Sequence, residues 1–142
     1  SSGSGQRLAH VDAGLLFGYH NHDFEYQATD GGHLPIDLVL GADESLVYEF
    51  DVAWAIRGNY DPMKTIAKYG SRVRAAHIKD IAPAGQNADE DGWADIGQGT
   101  VPWADLLAAL RKGGTTWFVA EHDNPKDHKR FASRSLAALK AM

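Results

Sequence analysis

Residues 46–80 read LVYEFDVAWAIRGNYDPMKTIAKYGSRVRAAHIKD, and this stretch decides the fold. A short apolar run at 46–51 ends in Asp51, an amphipathic stretch at 62–69 opens with Pro62 and stops at Gly70, and a second apolar run fills 73–79. Proline belongs in a first helical turn because the N–H it lacks would be unpaired there, and glycine favours helix ends. Strand-length runs on either side of a helix-period stretch predict a β/α/β unit with parallel strands.

The same pattern extends in both directions. Apolar runs at 15–20, 46–51, 73–79 and 117–121 alternate with amphipathic stretches at 35–40, 62–69, 102–112 and 127–142, with Gly70 and Gly113 as helix stops. The expectation is four β/α units on a parallel sheet. Such a set forms either a small doubly wound sheet or half of an eight-stranded barrel, since a closed barrel needs roughly 250 residues and this chain has 142. No GxGxxG or GxxxxGK[ST] follows any run, which removes the dinucleotide and P-loop readings. Residues 1–5, SSGSG, read as a linker or tag remnant, and residues 6–13 as the last turns of a helix whose beginning is absent, so the expected domain is 6–142.

With 44% apolar and 23% charged residues the chain has the composition of an ordinary globular domain. Its net charge of −5 and lack of a basic cluster argue against nucleic acid as a partner. No apolar run reaches the roughly 18 residues of a membrane span and no signal peptide opens the sequence, so a cytoplasmic, membrane-free location is expected. The absence of cysteine leaves His, Asp and Glu as the side chains for any metal site.

Ionisable residues stand at the end of every predicted strand: His20 and His22, Asp51, His77, and Glu121. The C-terminal edge of a parallel β/α sheet is where ligands bind, because the loops splay there and helix N-termini point toward it. Imidazoles and carboxylates together suit one divalent ion such as Mn²⁺, Zn²⁺, Co²⁺ or Mg²⁺. Each residue also has a plainer reading: a strand-end histidine can be a satisfied polar group, Asp51 can cap the turn that follows it, and Glu121 can pair with Lys126. Period-2 alternation places Glu49, Lys79 and Asp123 on the same face as Asp51, His77 and Glu121. A buried Lys79 would require a carboxylate or a substrate oxygen.

At these residues a resemblance becomes specific. GYHNHDFEY (18–26), YEFDVAWAIRGNYDP (48–62), AAHIKDIAP (75–83), DGWADIGQGTVPW (91–103) and FVAEHDNPKDH (118–128) resemble the second half of the sugar phosphate isomerase/epimerase family, the xylose-isomerase-like barrels. The resemblance implies an α/β fold of four consecutive β/α units, strands five to eight of a TIM-type barrel. It also implies one divalent metal held by His20, Asp51, His77 and Glu121. The first of these is usually a glutamate, so its replacement by His20 speaks against strict two-base epimerisation; Glu25, further along, is a candidate to turn back toward the metal. The family also resembles AP endonucleases with three-metal clusters, but two histidines those enzymes need are here Trp54 and Trp93, and indole is no metal ligand. A mononuclear site and a small substrate follow.

The implied activity is metal-dependent isomerisation or epimerisation of a sugar or sugar phosphate through an enediolate. Glu121 or His22 would act as base, and Lys79 would stabilise an oxyanion or protonate a leaving hydroxyl. Trp54 and Trp93 are either walls of a sugar pocket or core residues, with His122 and Asp123 as polar substrate contacts. Two alternatives stand beside this: dehydration of a keto-sugar or keto-inositol, and an inactive half-barrel that assembles with a second copy or a separate N-terminal half. Residues 80–100 form a long connection, a lid or a plain mobile loop, in which Gly97-Gln98-Gly99 could present N–H groups to an anion.

Overall fold

The computed structural model describes residues 14–142, so the expectations for residues 1–13 lie outside the described part. Four strands, β1 (Gly18–His20), β2 (Val47–Asp51), β3 (Val73–Ile78) and β6 (Trp117–Ala120), form one sheet in the order β1-β2-β3-β6, with every pair parallel. Strand order follows chain order with no reversal, which is how a β/α barrel winds; a doubly wound sheet reverses at a switch point.

Among the described residues five α-helices accompany the sheet: α1 (Pro35–Ala42), α2 (Val52–Arg57), α3 (Pro62–Tyr69), α4 (Trp103–Gly113) and α5 (His128–Ala141). Their starts follow from local chemistry. Asp61 accepts the Met63 N–H ahead of Pro62 in α3, and Asp127 accepts the N–H groups of Lys129 and Arg130 at the head of α5. At the end of α4 the left-handed residue is Gly114 (φ 100°) rather than Gly113, whose missing Cβ instead lets the chain approach the Gly70 backbone. Gly70 keeps a right-handed conformation and passes into a short 3-10 turn.

Two features differ from the sequence expectation. Helix α2 starts directly at the end of β2, because Asp51 caps it through the Trp54 N–H. The connection after β3 is an antiparallel pair, β4 (Asp80–Ile81) and β5 (Trp93–Ala94). It is a tethered structure rather than a plain loop: Arg57 donates to the Asp91 carbonyl (2.6 Å), and Glu90 receives Arg130 (2.6 Å) and the Lys126 N–H (2.8 Å). The Gly97 and Gly99 amides do meet an anion, but it is the chain's own Asp80, and the Gln98 N–H goes to the Asp95 carbonyl. The Asp80 carboxylate accepts the N–H groups of Ile81, Gly97, Gly99 and Val101 at 2.9–3.1 Å.

The alternation along the strands divides the sheet into two faces. Tyr48, Phe50, Ala76 and Ile78 point into the helix-covered core with Leu40, Ile66 and Leu110. Their alternates, Glu49, Asp51, Ala75 and His77, lie on the opposite face, level with Trp117 and Val119 of β6 by register. On that second face Trp117 is 73% exposed. No helix among the described residues is long and apolar enough to cross a membrane.

A candidate metal centre at the sheet edge

Asp51 is fixed from both sides before any ligand is considered. Asn21, fully buried after β1, accepts the Asp51 N–H (2.8 Å) and donates to the Asp51 carbonyl (3.0 Å), while its Oδ1 also receives the Tyr48 hydroxyl (2.8 Å). Asp51 Oδ1 is taken by the Trp54 N–H at 3.0 Å. Oδ2 faces the second sheet face, buried, with Lys79 Nζ 3.0 Å away as its charged partner.

Around Oδ2 stand His20 Nε2 at 3.8 Å and His77 Nδ1 at 4.0 Å, and the donor atoms of His20, Asp51 and His77 all lie within 4.8 Å of one another. Those two separations are too long for hydrogen bonds. They are short enough for a shared ion, since donors about 2.1 Å from one metal stand no more than about 4.2 Å apart. Two imidazoles and one buried carboxylate oxygen therefore suit a divalent cation. Glu121 stands beside this trio: its Oε2 is hydrogen-bonded to His77 Nδ1 and lies 3.2 Å from Lys79 Nζ.

Lys79 is 2% exposed and meets the condition that burial imposes on it, with Nζ 3.0 Å from Asp51 Oδ2 and 3.0 Å from Asp123 Oδ1 as well as facing Glu121. Burial pulls its pKa down, but Asp51 and Asp123 outweigh that and hold the ammonium charged, above its ordinary value. For Glu121, burial raises the pKa, and the hydrogen bond from His77 with the charge of Lys79 brings it below the ordinary carboxylate range. Burial lowers His77 as well, yet its hydrogen bonds to Glu49 and Glu121 leave it raised. His20 is held down by burial and then by His77, which favours the neutral ring a metal requires.

The remaining expected site residues divide. Trp54 and Trp93 form an edge-to-face pair with centroids 5.0 Å apart, and Lys79 Nζ lies 5.5 and 5.6 Å from their rings. Trp93 is buried and carries the Arg57 guanidinium 3.2 Å over its centroid, so it is chiefly a packed residue. The exposed His22 stands at the rim, 5.1 Å from the His20 ring and 5.6 Å from Trp54. Glu25 does not turn toward the cluster: its carboxylate accepts the Tyr19 hydroxyl (2.6 Å) and the His22 N–H (2.8 Å). His122, expected among the substrate contacts, packs instead against Phe131 of α5 and accepts the Asn124 N–H, because alternation turns it away from Glu121. Asn21 and Glu49 were not singled out as site residues from sequence; the HNH run and the alternation around Asp51 were the signals available.

A sequential parallel sheet with a histidine–carboxylate cluster at its C-terminal edge defines a β/α protein of the barrel type with a metal-competent site. The chain belongs to the xylose isomerase-like TIM barrel family, whose pattern residues 10–142 match. Over 78 residues, 53% of this chain, it is 37% identical to an inosose dehydratase of Clostridium beijerinckii, of which it covers 24%. A sugar phosphate isomerase/epimerase from Parabacteroides distasonis superposes on 92% of the chain with a TM-score of 0.73 at 25% identity. A probable 3-DHS dehydratase from Bacillus anthracis superposes on 92% with a TM-score of 0.68 at 16% identity, a likeness of fold alone. The chain spans 46% and 51% of those two structures, about half of each.

Proposed function

We propose that this chain carries the metal-binding half of a sugar isomerase/epimerase-like barrel, acting on a sugar or sugar phosphate through an enediolate intermediate. The observation that carries the proposal is the approach of His20, Asp51 and His77 at the end of three adjacent parallel strands, with Glu121 and Lys79 beside them. His20, Asp51, His77 and Glu121 would hold the ion, and a divalent ion there supplies Lewis-acid polarisation of a substrate carbonyl and its neighbouring hydroxyl.

The chain's own residues supply the proton chemistry. Glu121, kept ionised by His77 and Lys79, accepts a proton from the carbon beside the carbonyl. Lys79, held charged among carboxylates, places its Nζ protons beside developing negative charge on oxygen. His22 at the rim is the second candidate base, and Trp54 with Asp123 offers an apolar wall and a polar contact to the substrate. Further β/α units, from a second copy or a separate N-terminal half, would complete the barrel and cover the second face on which Trp117 is exposed.

Dehydration of a keto-inositol is the second reading, favoured by the 37% identity to an inosose dehydratase. In that reaction Lys79 would protonate the departing hydroxyl. Incubation with Mn²⁺ and keto-sugars, sugar phosphates or an inosose in D₂O separates the readings. Isomerisation gives deuterium at the carbon next to the carbonyl with no loss of water, and dehydration gives an unsaturated product. Neither outcome with any substrate, in a chain that binds Mn²⁺, would contradict catalysis by this half alone.

A further inference from the structure

We infer that Glu49 is a positioning residue of this centre: its carboxylate anchors the His77 ring through Nε2, which turns Nδ1 toward the place of a divalent ion beside Asp51 and Glu121. The inference rests on the proposal above that His20, Asp51 and His77 bind such an ion. Glu49 Oε1 lies 2.6 Å from His77 Nε2, while Nδ1 of the same ring is hydrogen-bonded to the Glu121 carboxylate and lies 4.0 Å from Asp51 Oδ2. The two ring nitrogens therefore look in different directions, one into the donor cluster and one away from it.

A neutral imidazole has one lone pair to offer, on whichever nitrogen lacks the proton, and the hydrogen bond at the other nitrogen decides which that is. Glu121 and Glu49 each take one ring nitrogen, so an ion that takes Nδ1 from Glu121 leaves the ring proton at Nε2 on Glu49, and carboxylate–histidine pairs of this kind orient and strengthen metal-binding imidazoles. The alternation of β2 explains the placement. Tyr48 and Phe50 turn into the core, whereas Glu49 and Asp51 share the second face, so one strand delivers both a donor atom and the group that orients its neighbour. Glu49 packs against little, its side chain being 45% exposed, which separates its effect on His77 from a role in the core.

The test uses Glu49→Ala and Glu49→Gln, with thermal melts to show that both fold. In the metal-free chain, ¹⁵N NMR of the histidines should report a proton on Nε2 of His77 in the wild type and in Glu49→Gln, whose amide oxygen still accepts. Glu49→Ala should lose that proton, leaving the ring's proton at Nδ1, facing Glu121. Calorimetric titration with Mn²⁺ should show affinity about 10–100-fold weaker in Glu49→Ala, with the glutamine variant close to wild type. The wild-type tautomer and wild-type affinity in Glu49→Ala would overturn the role of Glu49 and leave the metal proposal standing. No Mn²⁺ binding by the wild type would overturn the metal proposal and this role with it. Complete loss of binding in Glu49→Ala with an unchanged tautomer would make Glu49 a ligand and overturn its assignment as a positioning residue.

Discussion

Lys79 Nζ lies 3.0 Å from Asp51 Oδ2, and neither side chain is more than 2% exposed. Burial holds the Asp51 carboxyl above the ordinary carboxylate range, and the ammonium offsets that only in part. Lysine and a metal would both contribute positive charge to the same oxygen, which links the stability of the fold to occupation of the site.

Lys79→Met should expose that linkage. It leaves Asp51, Glu121 and Asp123 facing one another, and removing one partner of a buried ion pair costs ~3–5 kcal/mol. Glu121 and Asp123 are about one-third exposed, so solvent screening places the expected loss near the lower end. Urea unfolding should show a loss of about 3 kcal/mol, partly restored by Mn²⁺ through preferential binding to the folded state. Wild-type stability without metal would contradict the proposed role of the lysine.

Gly99 and Gly41 provide a matched pair. A Cβ at Gly99 would collide with the Asp80 carboxylate and the Ile81 carbonyl, which the loop wraps closely. Gly99→Ala should cost about 1–3 kcal/mol. Gly41, in α1 with nothing within 4 Å of its Cβ position, should gain up to ~1 kcal/mol as alanine. Thermal melts of the two variants should move in opposite directions.

Acid stability should depend on Glu90. The hydrogen bond from Arg130 and that from the Lys126 N–H hold its carboxyl below the ordinary glutamate range. A depressed folded pKa contributes stability that is fully present above the unfolded value and is lost as pH falls through the folded one. Glu90→Gln should therefore flatten the acid limb of a stability–pH curve below the ordinary glutamate range while lowering stability at neutral pH. An acid limb identical to wild type would show that the hairpin tether makes no such contribution.

The strands and the four longer helices were legible because their causes are local. Pro35, Pro62 and Pro102 mark helix starts, and period-2 alternation places Asp51 and His77 on one face in register with each other. Helix α2 was not legible, since Asp51 serves as strand end, helix cap and cluster member at once, and a residue with three uses gives no clear boundary signal. The β4–β5 hairpin was hidden because Gly- and Asp-rich composition reads as loop, while its tethers come from Arg57 and Arg130, distant in sequence. The strand period turns adjacent side chains to opposite faces, so His122 faces Phe131 while Glu121 faces the cluster. Alternation places Glu49 on the site face, but its bond to His77 and the bonds of Asn21 to Asp51 and Tyr48 join residues about thirty positions apart, which no local pattern encodes.

The central claim is that His20, Asp51 and His77 converge on one divalent ion. Elemental analysis of the chain after incubation with Mn²⁺ and desalting, beside Asp51→Ala and Glu25→Ala, tests it most directly. About one equivalent per chain in the wild type and in Glu25→Ala, with none in Asp51→Ala, is the predicted result. Equal Mn²⁺ in the wild type and Asp51→Ala, or none in the wild type, would contradict it.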